Sequence, residues 1–112
     1  MYNLKYNLII LDEFMEITIK HGDSLVVSLN GRLDTTTSVE LDTKIKNEKI
    51  EVDLVILDFT ELEYISSAGL RVLLSIKKML DANNKKLEIH NINQVVKEVF
   101  SVTGFKNVLT IK

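Results

Sequence analysis

Leu57-Asp58-Phe59-Thr60-Glu61-Leu62-Glu63-Tyr64-Ile65-Ser66-Ser67-Ala68-Gly69-Leu70-Arg71 reads as a buried strand, a short acidic loop, a serine pair and the start of a helix. A strand that hands over directly to a helix is the building unit of an α/β domain. Serines at that junction stand at a helix N-terminus, where backbone N–H groups have no intrahelical partner and the macrodipole is positive. A hydroxyl placed there serves as a plain cap, as a phosphate acceptor or as a nucleophile.

Working outward, Val52–Phe59 holds Leu54-Val55-Ile56-Leu57 with no polar interruption, the pattern of a central strand covered on both faces. Downstream, a helix runs from about Ala68 to Asp81. Gly69, Leu73, Ile76 and Leu80 recur on one side of it, and Val72 and Met79 widen the stripe. Asn83-Asn84-Lys85 breaks that helix, and Lys86–His90 reads as the next strand. Asn91 and Gln94 form a capping pair for a further helix with Val95, Val96, Val99 and Phe100 inward; Gly104 closes it in the left-handed conformation, and Val108–Ile111 is a last short strand.

Toward the N-terminus, Glu16–Lys20 and Leu25–Asn30 flank the turn cluster His21-Gly22-Asp23-Ser24, which predicts a hairpin. Gly31-Arg32-Leu33-Asp34 reads as a tight loop. Thr37-Ser38-Val39-Glu40 has capping-box spacing, so a first helix is expected from about Ser38 to Asn47 with Leu41 and Ile45 on its buried face. The resulting order, ββαβαβαβ, predicts a single α/β domain: a mixed sheet made of an N-terminal hairpin plus parallel strands joined by crossover helices.

The bulk properties agree with one small domain. The chain has 112 residues, 46% of them hydrophobic, enough for a real core at this size. A formal net charge of −2 gives no sign of a nucleic-acid binder or an anionic-membrane binder. The absence of cysteine excludes disulfides and thiolate chemistry and fits a cytoplasmic setting. No apolar run approaches about 18 residues, so no direct membrane insertion is expected, and no signal peptide is evident. Met1–Phe14 is rich in apolar residues (Tyr2, Leu4, Tyr6, Leu8, Ile9, Ile10, Leu11, Phe14). It reads as an extension ahead of a domain spanning 15–112: an added strand, a loose arm, or an over-extended start before Met15. A membrane-surface anchor fits less well, because its polar face is not basic.

On a helix wheel begun at Ser67, Arg71 lies one turn on, and Ser75 and Lys78 continue the same face. Ser67 thus heads a solvated strip carrying two positive charges, bordered by Leu70 and Leu74, more like a contact surface than a pocket. The bland reading is strong, since serine is among the best N-cap residues. A nucleophile needs a base in reach and an oxyanion site. The chain offers only His21, in a hairpin turn, and His90, at a strand end, and the flanks of the serine pair do not match a nucleophile elbow. Phosphate-loop and dinucleotide glycine patterns are absent, so no nucleotide or other cofactor is expected. A phosphoacceptor receiver could use Asp58, but the first strand ends in Lys20 and supplies no acidic pair. The reading is of a binding protein, not an enzyme, and of no metal site.

The stretch from Val55 to Leu74 resembles the signature of STAS domains, the family of bacterial anti-sigma factor antagonists. That signature is a hydrophobic strand ending in Asp or a similar residue, a short loop, then Asp-Ser-Ser/Ala-Gly-Leu; here it reads Ser66-Ser67-Ala68-Gly69-Leu70. Gly31-Arg32-Leu33-Asp34 resembles the family's Gly-x-Leu/Ile-Asp element, and Val99-Phe100-Ser101-Val102-Thr103-Gly104-Phe105 its third-helix ending. The likeness spans about Met15 to Lys112. The resemblance implies a switch. The unphosphorylated antagonist binds an anti-sigma factor that is also a serine kinase, releasing a sigma factor. The kinase phosphorylates the serine two residues before the glycine, the complex parts, and a metal-dependent serine phosphatase restores the active form. Carried over by position, the acceptor is Ser67, with Ser66 second, and Asp34, Ser66, Ser67, Leu70, Arg71 and Leu74 belong to the partner-facing surface. Ser66 stands where the family has Asp, which leaves open a constitutive adaptor, such as an accessory subunit of a transporter or lipid-trafficking complex. Monomer and weak homodimer both stay open.

Overall fold

The computed structural model describes residues 15–112. The expected N-terminal extension, Met1–Phe14, lies outside the described residues. The described order is β1 (Glu16–His21), β2 (Leu25–Leu33), α1 (Thr35–Lys46), β3 (Leu54–Ile65), α2 (Ser67–Ala82), β4 (Lys86–His90), α3 (Gln94–Thr103), a short 3₁₀ turn (Phe105–Asn107) and β5 (Thr110–Ile111). The strands form one mixed sheet in the order β1-β2-β3-β4-β5. β1 and β2 are antiparallel, and the remaining neighbours are parallel. This is the α/β architecture that the alternation of periods predicts.

Strand order determines where the core lies. Each parallel crossover moves one place in the same direction across the sheet, and right-handed crossovers then bring α1, α2 and α3 to the same face. Val27, Leu29, Val55, Leu57, Phe59 and Ile89 on that face are fully buried, as are Leu41, Ile45, Leu73, Ile76, Val96 and Phe100 of the helices. On the opposite face, Val26, Leu54, Ile56 and Asp58 are only half-buried. The run Leu54-Val55-Ile56-Leu57, expected to be covered on both sides, is thus helix-covered on one side among the described residues.

Three expectations change. Gly31-Arg32-Leu33 is not a loop. β2 continues to Leu33, paired as far as Leu33↔Ile65. Likewise the acidic segment Thr60–Tyr64 is strand, not loop. β3 carries an extra residue against β2 at two places, between Ser28 and Asn30 and between Gly31 and Arg32. Such bulges let the strand keep its pairing while it twists. Gly31 has φ 127, a value that side-chain-bearing residues seldom adopt. Finally, the helix starts move: α1 begins at Thr35, capped by Asp34 rather than by Thr37, and α3 is capped by Asn93 rather than Asn91. Asn91 instead takes a left-handed conformation, φ 64. Gly104 closes α3 with φ 81, as expected, whereas β5 is only Thr110–Ile111.

Candidate functional site

The helices start where the parallel strands end, so the N-termini of α1, α2 and α3 gather at one rim of the sheet. Their caps are Asp34, Ser66 and Asn93. The first two are tied through the strand ends, because the Ser66 N–H donates to the Leu33 carbonyl at 2.9 Å. The third is tied to β3, because Asn93 Nδ2 donates to the Leu62 carbonyl at 3.1 Å. A single rigid rim results.

α2 starts as closely as packing allows. A Cβ on Gly69 would lie 2.7 Å from Ile65 Cγ1 and 2.8 Å from the Leu33 carbonyl oxygen. Glycine at this position lets the first turn of α2 sit against the end of β2. Gly69 also receives the cap, donating its N–H to Ser66 Oγ at 3.3 Å. The serine pair thus divides. Ser66 is half-buried and holds the helix end; Ser67 is exposed, and its hydroxyl makes no hydrogen bond among the described residues.

Around Ser67, Arg71 is exposed one turn on, Ser75 is half-buried and Lys78 exposed. The strip forms as the wheel predicts, but one border does not: Leu70, expected at the exposed edge, is buried at 5%. The α2 axis is rolled so that Leu70 joins the core, leaving half-buried Leu74 as the apolar edge.

Asp34 is held tightly. Its Oδ1 accepts from Thr36 N and Thr37 N, each at 3.1 Å. The Thr37 hydroxyl accepts from the Asp34 N–H at 2.9 Å and donates to the Arg32 carbonyl at 2.6 Å. The Thr37 N–H bond lowers the Asp34 pKa most; burial opposes this, and the Thr37 hydroxyl, Thr36 N–H and Arg32 reinforce it. Arg32 itself lies over the Tyr64 ring, 4.5 Å from its centre. This pair went unforeseen, because the pairing of β2 with β3 that creates it is not visible locally.

Asp58 is occupied as well. Its Oδ1 accepts from the Thr60 hydroxyl at 2.6 Å, from Thr60 N at 3.1 Å and from Asn91 Nδ2 at 3.0 Å. Partial burial works against its charge, but the Thr60 and Asn91 bonds and nearby His90 prevail, and the pKa is lowered. The carboxylate thus holds the bulged part of β3 against the loop after β4. His21 bonds Glu48 at 2.7 Å and His90 bonds Glu88 at 2.9 Å, so each imidazole already has a carboxylate neighbour. Among the described residues no cluster of His, Cys, Asp and Glu is arranged to hold a metal, and no helix is long and apolar enough to cross a membrane.

The rim therefore offers, at the start of α2, a free hydroxyl with a guanidinium one turn on and an apolar border; the exposed hydroxyls of Thr35 and Thr36 stand at the start of α1. Comparisons with known proteins bear on what uses it. The family model described as "STAS domain" matches residues 15–112. The protein BtrV of Bordetella bronchiseptica is 29% identical over 99 residues, covering 87% of this chain and 85% of BtrV. The anti-sigma-B factor antagonist of Staphylococcus epidermidis is 28% identical over 95 residues, covering 84% of this chain and 88% of the relative. Among solved structures, an anti-sigma factor antagonist from Mycobacterium paratuberculosis superposes with a TM-score of 0.76 at 17% identity, covering 88% of this chain and 86% of that one.

Proposed function

Since this chain belongs to the STAS domain family, we propose that it is an anti-sigma factor antagonist: a non-enzymatic module that binds an anti-sigma factor serine kinase in the cytoplasm and so frees a sigma factor for transcription. Phosphorylation of Ser67 ends the interaction, and a metal-dependent serine phosphatase reverses it. The name carried by the Staphylococcus epidermidis relative supports the antagonist reading. The observation that carries the choice of residue is the division at the start of α2: Ser66 Oγ is committed to the Gly69 N–H, while Ser67 is exposed and uncommitted.

Transfer of the γ-phosphoryl group of ATP to Ser67 Oγ displaces the hydroxyl proton and releases ADP. The product carries about −1.5 to −2 of new charge, against a formal net charge of −2 for the whole chain. Within the free protein that charge is well placed, at a helix N-terminus and one turn from Arg71. In the complex it meets a partner surface built for a neutral hydroxyl beside Asp34, Ser66, Arg71 and Leu74. A loss of about 2.7 kcal/mol there lowers affinity about a hundredfold. Leu70 contributes by seating the helix from beneath.

The test is incubation with a cognate kinase and ATP, followed by mapping of the phosphate by mass spectrometry. Ser67→Ala is expected to stay unlabelled yet bind its partner as the parent does, and Ser67→Asp to bind more weakly. Labelling of Ser67→Ala at the parent's rate transfers the acceptor role to Ser66 and overturns the assignment.

A further inference from the structure

The sheet edge formed by β5, two strands away from β3, carries a second feature. Among the described residues β5 is an edge strand, paired on one side only, with β4. Lys112 turns both its backbone groups toward β4: its N–H donates to the Ile89 carbonyl at 2.8 Å, and its carbonyl accepts from the Asn91 N–H at 3.1 Å. Along a parallel strand these groups alternate in direction. The N–H and C=O of Ile111 therefore point away from β4, to the open edge.

Beside that edge is a cavity of about 240 Å³ lined by Ile92, Lys97, Phe100, Ser101, Lys106 and Ile111. Its floor is apolar. Its two cations, Lys97 and Lys106, are exposed, and neither forms an ion pair with a described residue.

We propose that the β5 edge, with the Phe100 cavity and the Lys97–Lys106 pair beside it, docks an extended acidic segment of a partner protein. The segment adds a strand to Ile111, inserts one apolar side chain over Phe100, and sets flanking carboxylates against the two lysines. Main-chain bonds give such a contact its strength, and the pocket and charges give its selectivity. The two unpaired cations around an apolar floor select an acidic occupant over a neutral or basic one. The surface does not involve Ser67, so a switch at α2 leaves it available for a second partner at the same time.

The probe is a fluorescein-labelled hexapeptide alternating glutamate and leucine, compared by anisotropy with the same peptide carrying lysine for glutamate. The acidic peptide is expected to saturate and to shift the amide resonances of Ile111 and its neighbours, weakening as salt screens the lysines. The double substitution Lys97→Glu, Lys106→Glu, both on the surface, is expected to weaken binding at least tenfold, while Ser67→Asp leaves it unchanged. Equal binding of the two peptides, shifts confined to the start of α2, no saturation by millimolar peptide, or self-association of the chain through this edge would each overturn the proposal.

Discussion

α1 and α2 begin in the same way, at the ends of adjacent parallel strands whose last residues, Leu33 and Ile65, are paired. Their caps are nevertheless built differently. At α1 the Asp34 carboxylate and the inward hydroxyls of Thr37 and Ser38 are tied up, while the Thr35 and Thr36 side chains are exposed and their hydroxyls make no hydrogen bond among the described residues. Asp34 and Thr37 cap each other in a reciprocal box, and Thr37 and Ser38 are buried at 2% and 3%. At α2 a single serine caps the end and the next hydroxyl faces solvent. The reciprocal box anchors the sheet to its first helix, whereas a single serine bond holds the start of α2. Position in the fold and a free hydroxyl do not by themselves make a helix start into a site, since Thr35 and Thr36 have both. What differs is how many side-chain bonds hold the cap, and that Arg71 and Leu74 stand on the α2 face that Ser67 heads.

The largest effect is expected from Gly69→Ala. The new Cβ falls 3.0 Å or less from Ile65 Cγ1, the Leu33 carbonyl and Leu33 Cγ. Two of those atoms belong to buried side chains and the third is backbone, so the start of α2 must lift. We expect a loss of up to about 3 kcal/mol by urea denaturation, and weaker partner binding from the displaced Ser67. Unchanged stability would show that the closeness at α2 carries no weight.

Thr37→Val comes next. It keeps shape but removes the hydroxyl that serves both the Asp34 N–H and the Arg32 carbonyl. Leaving those groups unpaired is expected to cost about 2 kcal/mol. The matching change at α2, Ser66→Ala, removes one cap bond and should cost about 1 kcal/mol. Reversal of that order would mean that the single-serine cap, not the reciprocal box, is the stronger anchor.

A subtler effect is pH dependence. The Thr37 N–H bond holds the folded Asp34 carboxyl below the ordinary carboxylate range. The folded state therefore binds its proton less readily than the unfolded chain does, and the ionic part of the cap is fully present above about pH 4 and fades as acid takes the pH through the folded pKa. Denaturation of the parent against Asp34→Ala should show a gap of about 1 kcal/mol at neutral pH that narrows in acid. A gap that widens in acid contradicts this account. The smallest effect belongs to Ser67→Ala: with no hydrogen bond to lose, stability should stay within about 0.5 kcal/mol of the parent by the same denaturation.

Much of this was legible locally. Lys86–His90 matches β4 residue for residue, because a strand bounded by an Asn-Asn break and an Asn-Ile-Asn turn has little freedom at its ends. The apolar spacing of Gly69, Leu73, Ile76 and Leu80 foretold the buried side of α2. The Ser66-Ser67 junction was visible as a helix start, although which serine caps and which stays free was not. The misreadings share a cause. Gly31-Arg32-Leu33 and Thr60–Tyr64 carry glycine and charge, the marks of loops. Each becomes strand because the other is present to complete the ladder, and a partner tens of residues away leaves no local trace. Asp34 looked like a loop residue for the same reason: its cap exists only once β2 has run on to Leu33.

From the order of residues alone came the alternation of strand and helix, the placing of a hydroxyl pair at the start of α2, and the lack of any cysteine or phosphate-loop glycine pattern. Those properties are local, set by periodicity, capping chemistry and composition. Tertiary structure decided where the strands stop, that Ser66 caps while Ser67 faces solvent, and that Leu70 turns inward while Leu74 forms the edge. Each of these depends on the roll and approach of α2 against Leu33 and Ile65, a contact between segments far apart in the chain, whose energy no single stretch of sequence contains.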